Sequence, residues 1–293
     1  MYELHYLKGN TYYIDGPTNC GVYILNQNKD ILLFDTGTQE DGVEILKTIK
    51  KHGFNVKYIV FSHCHSDHSQ GSLEIKKEFP NVIMITSKVE RGFFRDPKLD
   101  IGFLYGGYPL DEYDGKLMHF DMNDEIYALD KLPNSVSYFH LPGHHPGMIG
   151  LKTDDDVYFV ADTLGSKELV DKAHILLIYD VKGYLESLDF VESLDSKIVV
   201  PSHSVVSQNI APLVKYNRDN VNKIISVLLD FLHDEHNCTE CTSYIFTYFN
   251  LKISYNKYML ILSTIRSYLS YLSNKKVIRN YFKDNRLVFK FER

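Results

Sequence analysis

The chain has 293 residues, 44% hydrophobic and 24% charged, with a formal net charge of −6. That length can bury a sizeable core, in one large domain or in a large one with a small companion. No stretch approaches the roughly 18–20 apolar residues of a membrane helix, and four cysteines (Cys20, Cys64, Cys238, Cys241) are far too few for a disulfide framework.

The first residues, "MYELHYLKGN", carry an acid at position 3 and no apolar core, so they do not read as a secretory signal. With the sparse cysteines this points to a soluble protein of a reducing compartment, the cytoplasm. Up to about residue 212, "CGVYIL", "ILLFDT", "YIVFSH", "VIMITS", "VSYFHL", "VYFVAD" and "KIVVPSH" read as strands rich in Val, Ile, Tyr and Phe. Helical patterns stand between some of them, over residues 41–53, 70–79 and 184–195. The first part is therefore a mixed α/β domain. Residues 91–120 are too aromatic and glycine-rich for a plain connector and suggest a lid, with Tyr105, Tyr108 and Tyr113 as candidate substrate contacts or as packing for the insert. His174, opening "HILLIYD", reads as a core or supporting histidine.

After Pro212 the strands cease. "VNKIISVLLDFLHDE", "CTSYIFTYF" and "YMLILSTIRSYLSYL" are helical, and "VIRNYFKDNRLVFKFE" folds back around Asp-Asn as a hairpin. Three helices and a hairpin is the order of a winged helix. Charge supports a division at the same place: residues 213–293 hold thirteen Lys and Arg against seven Asp and Glu, whereas residues 1–212 hold nineteen against thirty-one. The expected domains are thus 1–212 and 213–293. "HDEHNCTEC" (233–241) invites a zinc reading, but its spacing is unlike the common fingers, Thr239 looks like a helix N-cap, and the cysteines are assigned to helix packing.

The chemistry concentrates in "SHCHSDHSQG", residues 62–71, directly behind the apolar run "YIVF". In an extended segment His63 and His65 lie on one side while Cys64 points away. A helix starting near Ser66 would place Asp67 and His68 in its first turn, toward a neighbouring point. One segment thus offers half of two adjacent metal sites, with donors suited to zinc, or to iron or manganese where carboxylate is present. Other strand ends deliver His144, Asp162 and His203, which is how an α/β scaffold assembles a site.

Taken together, "LFDTG", "SHCHSDHSQG", "LPGHHPG", "VADT" and "VPSH", over residues ~10 to ~205, resemble the metallo-β-lactamase superfamily. That resemblance implies an αβ/βα sandwich, with His63, His65 and His144 on one divalent metal, Asp67, His68 and His203 on another, and Asp162 bridging. Asp35 resembles the family's structural aspartate. The implied chemistry is hydrolysis by a metal-bridging hydroxide, since two cations roughly 3.5–4 Å apart lower the pKa of a bound water to about 7. Asp67 and His145 are the candidate catalytic residues, His145 as proton donor to the leaving group or else as a surface histidine that shapes its loop. His65, where diiron relatives carry glutamate, favours a hydrolase, and Asp162 together with the absent signal argues against antibiotic hydrolysis.

The expected substrate is a small ester, thioester or lactone. The alternative is a phosphodiester or RNA gripped by the tail, where ten Lys and Arg against two acids follow residue 250 beside Tyr255, Tyr258, Tyr268, Tyr271 and Tyr281. Tyrosines at helical spacing are more often core, so the tail is expected to pair two copies of the chain rather than to bind nucleic acid.

Overall fold

The computed structural model describes residues 1–108, 110 and 125–292. In chain order its strands and helices begin with β1 (Leu4–Lys8), β2 (Thr11–Ile14), β3 (Cys20–Ile24) and β4 (Asp30–Phe34), then α1 (Gln39–His52), β5 (Asn55–Val60), α2 (Ser66–Ser69) and α3 (Ser72–Glu78). There follow β6 (Ile83–Ile85), α4 (Lys88–Arg95), α5 (Lys98–Tyr105), β7 (Ile126–Tyr127), β8 (Val136–His140), β9 (Ile149–Thr153) and β10 (Val157–Gly165). The remainder is α6 (Lys167–Ala173), α7 (Val181–Glu192), β11 (Ile198–His203), α8 (Ala211–Phe231), β12 (His236–Asn237), α9 (Cys238–Tyr248), α10 (Tyr255–Asn274), β13 (Ile278–Lys283) and β14 (Arg286–Phe291).

β1 to β7 form one sheet in sequential order, and β11-β10-β9-β8 form a second. The central strands are buried on both faces, which is why they read as unbroken apolar runs. On β4, Leu32 and Phe34 point to the second sheet and meet Val157, Phe159 and Val200. Ile31 and Leu33 point the other way, onto Ile45 and Ile49 of α1 and Ile75 of α3. The outer face of the second sheet, through Val160, Ala161 and Val199, packs on Tyr184 and Leu188 of α7 and on Val214, Val221 and Ile265 of α8 and α10. The layers run helix, sheet, sheet, helix, the expected αβ/βα sandwich.

All the predicted strands and helices form. β1, β2, β7, β9 and β12 were not anticipated. After residue 212 the order is three helices and a hairpin turning at Asp284 and Asn285, both at positive φ as a two-residue primed turn requires. β12 pairs with β14. The N-cap of α9 is Asn237 rather than Thr239: its side chain accepts from Glu240 N–H while the Glu240 carboxylate accepts from Asn237 N–H. Cys241 is buried in the same hydrophobic cluster as Tyr268, and Tyr258 and Tyr271 pack against it. Asn217 of α8 accepts from Gly165 N–H and from the Tyr184 hydroxyl, fastening the helix to the end of β10.

Candidate metal centre

Strand ends on one edge of the sandwich bring the predicted residues together. β5 runs into Phe61–Ser62 and the histidine segment, β8 into the loop carrying His144, β10 carries Asp162, and β11 ends at His203. At Asp162 the pairing of β10 with β11 slips, and Ala161 sits at φ +46°. Such a bulge re-aims a side chain that regular pleating would direct elsewhere. Gly143 adopts φ +130° with Tyr184 Cα only 2.4 Å from where a Cβ would stand, so "PGH" can make its turn against α7 only with glycine there.

Donor atoms of His63, His65 and His144 lie within 4.8 Å of one another, as do those of Asp67, His68 and His203 and those of His63, His68 and Asp162. Asp162 stands between the first two groups: Oδ2 is 3.5 Å from His144 Nε2, while Oδ1 is 3.2 Å from His68 Nε2 and 3.3 Å from His203 Nε2. The remaining hydrogen bonds set the tautomers. Nδ1–H of His144 donates to Leu177 O at 3.0 Å, that of His203 to Pro17 O at 2.7 Å and that of His68 to Asp35 Oδ2 at 2.9 Å. The Ser62 hydroxyl spends its proton on Asp35 Oδ2 at 2.7 Å, so its oxygen accepts from His63 Nδ1–H at 2.9 Å. Four imidazoles therefore engage Nδ1 outward and turn Nε2 inward, the arrangement that second partners impose on ligating histidines. His65 points Nδ1 at His63 and His144 instead.

Burial, reinforced by neighbouring imidazoles, holds His63 and His65 well below the ordinary range and lowers His144, so these rings are neutral. Burial also works against charge on His68 and His203, but the Asp162 carboxylate outweighs it, pushing His68 well up and His203 to about 9. Burial alone would raise Asp162, yet these two histidines hold it well below the usual carboxylate range. A carboxylate this strongly ionised inside a ring of imidazoles attracts cations. His65 Nε2, His68 Nε2 and Asp162 Oδ1 are buried without a hydrogen-bond partner among the described residues. His68 Nε2 and Asp162 Oδ1, 3.2 Å apart and both turned inward, fit a divalent metal that would displace the imidazole proton.

Asp35 is buried, at φ +59°, and braces the segment as expected: it accepts from Ser62 N–H at 2.7 Å as well as from Ser62 Oγ and His68. His145 requires a correction. It is not a surface residue, being 1% exposed with Nδ1 2.6 Å from Glu90 Oε1 and Nε2 3.4 Å from Asp100 Oδ1. Burial disfavours its cation, but the two carboxylates prevail and push it up to about 9. Glu90, which no local pattern flagged, also accepts from Cys64 N–H and Gly147 N–H, tying together the two loops that carry His65 and His144.

Of the proposed lid, residues 91–108 contribute the end of α4 and all of α5, while Tyr113 lies outside the described residues. Tyr105 is buried and donates to Asn256 of α10, so it packs the insert, and Tyr108 is exposed. His174 caps α6 and stacks on Phe249, away from the centre. Among the described residues the 233–241 segment forms no metal-capable group.

The sequence model of the metallo-beta-lactamase superfamily matches residues 13–203. A hydroxyacylglutathione hydrolase, GloC, of Haemophilus influenzae is 26% identical over 148 residues, 50% of this chain and 66% of its own length. A hydroxyacylglutathione hydrolase of Shewanella loihica is 24% identical, over 61% of this chain and 60% of its own. The chain thus spans somewhat under two thirds of these relatives. Among solved structures, a beta-lactamase domain protein from Burkholderia ambifaria has a TM-score of 0.75 at 14% identity, covering 99% of this chain and 93% of that one. A metallo-beta-lactamase family protein from Thermus thermophilus, TTHA1429, has 0.68 at 16%, covering 97% and 99%. Both share the fold, C-terminal helices included.

Proposed function

We propose, for a chain that belongs to the metallo-beta-lactamase superfamily and is a metal-dependent hydrolase, that it cleaves a small ester, thioester or lactone whose acyl group is apolar. The carrying observation is the cavity at the centre. About 330 Å³ in volume, it opens onto Asp67, His144, Asp162 and His203 and is otherwise walled by Leu164, Leu169, Ile175, Leu176 and Leu177, with no Lys or Arg among its described lining residues. Such a wall shelters a short hydrocarbon acyl chain and offers no cationic side chain to a phosphodiester backbone. On the other side of His203 a wider groove of about 790 Å³ is lined by Asp15, Asn19, Lys167 and Ser204 and suits a polar leaving group.

His63, His65 and His144 would hold one divalent ion, Asp67, His68 and His203 a second, and Asp162 would lie between them. When bound, the pair would supply a nucleophilic water at neutral pH and polarise the scissile carbonyl. Zinc suits the imidazole-rich set best. The chain's own contribution is orientation: each inward Nε2 is fixed by a hydrogen bond at Nδ1, and apolar side chains exclude bulk water beside the carbonyl. Asp67 has a side chain 45% exposed, with Oδ2 3.5 Å from His203 Nε2. It is the carboxylate of the set able to exchange a proton with solvent.

Hydrolysis by zinc- and manganese-loaded protein should be screened in parallel on short-chain thioesters, lactones, bis(p-nitrophenyl) phosphate and single-stranded RNA. Turnover of the acyl substrates is expected. Cleavage of the phosphodiesters alone would overturn the reading.

A further inference from the structure

On the far side of the histidine segment from the cavity lies a second set of donors. Cys64 Sγ, His145 Nε2 and an Asp100 carboxylate oxygen lie within 4.8 Å of one another. All three side chains are buried, Cys64 at 4%, His145 at 1% and Asp100 at 1% exposure. We propose that Cys64, Asp100 and His145 form a further site for a divalent cation of the zinc class, with Glu90 orienting the imidazole.

The spacing is that of ligands more than of a hydrogen-bonded cluster. His145 Nε2 stands 3.4 Å from Asp100 Oδ1 and 3.9 Å from Cys64 Sγ, both at the outer limit for hydrogen bonds of their kind. A tetrahedral ion with N and O at about 2.0–2.1 Å and S at about 2.3 Å has N-to-O and N-to-S edges of roughly 3.4 and 3.6 Å. Two independent features point the same way. Asp100 Oδ2 is buried with no hydrogen-bond partner among the described residues. His145 Nδ1–H donates to Glu90 Oε1 at 2.6 Å, the carboxylate–histidine pairing that presents the opposite nitrogen to a metal.

The ion would join the loop after β5, the loop after β8 and α5 of the insert, setting α5 against the back of the centre facing the cavity.

Cobalt(II) loading separates this site from the other two, because it alone contains sulfur. The full chain, freed of metal by chelation under reducing conditions, is titrated with cobalt while equivalents bound and the near-ultraviolet sulfur-to-cobalt charge-transfer band are followed. Three equivalents and a band are expected. Cys64→Ser should abolish the band and remove one equivalent, and Asp100→Asn, a milder change, should weaken that equivalent at least tenfold while circular dichroism shows an intact fold. A wild-type chain with no sulfur band, or a band that survives Cys64→Ser, would overturn the proposal. Loss of the cavity-facing ions would instead appear as fewer equivalents with the band retained, so the two readings fail separately.

Discussion

Replacing Asp35 by asparagine tests how this scaffold prepares a histidine for metal. Asp35 Oδ1 accepts from Ser62 N–H, and Oδ2 accepts from both the Ser62 hydroxyl and His68 Nδ1–H. In Asp35→Asn the carbonyl oxygen can keep the Ser62 N–H, which leaves an amide NH2 facing two donors. The Ser62 hydroxyl can rotate and accept. His68 can accept only by giving up Nδ1–H and keeping its proton on Nε2, the atom directed at Asp162 and Asp67. The altered tautomer blocks the lone pair that a metal needs. Loss of such a supporting partner costs about 10- to 100-fold in affinity, or roughly 1.4–2.7 kcal/mol. A donor left unpaired would cost the metal-free fold about 1–3 kcal/mol more. Competition against a chromophoric zinc chelator should therefore show one equivalent weakened by that factor and the other little changed, with a lower thermal midpoint for the metal-free variant. Wild-type affinity at both equivalents, with nitrogen NMR still reporting His68 protonated at Nδ1, would refute the reasoning.

Glu90→Gln leaves an amide facing His145, Gly147 N–H and Cys64 N–H, and breaking a buried charged pair costs about 3–5 kcal/mol; an unfolding free energy, from denaturant titration, lowered by less than about 1 kcal/mol would count against the strut assigned to Glu90. For pH, His145 is raised to about 9 in the metal-free fold from an ordinary 6.5. Its contribution is complete below about 6.5 and lost as pH rises through 9, worth at most about 3 kcal/mol at roughly 1.36 kcal/mol per unit. His68 and His203 slope the same way, so the measure is the difference between chelated wild type and His145→Gln, which should shrink from pH 6.5 to pH 9.5; a constant gap would be the adverse result. RNA binding should be weak at moderate salt, because Arg218 pairs with Asp189 and Glu192, Lys283 with Glu235 and Arg286 with Glu240. Sub-micromolar binding that falls steeply in log salt would say otherwise.

Much of the centre was legible because its donors sit at strand ends, where an apolar run stops and a ligand-type residue follows at once. His63, His65, Asp67 and His68 carry their relation in local spacing, and His144, Asp162 and His203 each close a recognisable run. Strands lacking that contrast escaped notice. β1 and β2, "LHYLK" and "TYYI", flank Gly9-Asn10, a hairpin signal obscured by the short, half-exposed strands. β9, "IGLKT", is brief and has as its second residue Gly150, whose place is set by Phe139 on the neighbouring strand. Asn237 was passed over for Thr239 although Glu240, three residues on, completes a capping box with Asn237.

His145 shows where local reading stops. Its neighbour His144 turns Nε2 to the cavity, and successive side chains in a tight loop cannot both do so. What His145 turns toward is decided by Glu90 and Asp100, 55 and 45 residues earlier in the chain, on helices whose sequences "KVERGFFR" and "KLDIGFLY" have no metal-binding look. Cys64 obeys the same geometry between His63 and His65: the alternation that sends two histidines forward sends the thiol back. The histidine segment and the "PGHH" loop therefore each carry donors on two faces. Since a buried acid with an unpartnered oxygen is costly, the rearward donors need an account of their own, and the cobalt titration supplies its test.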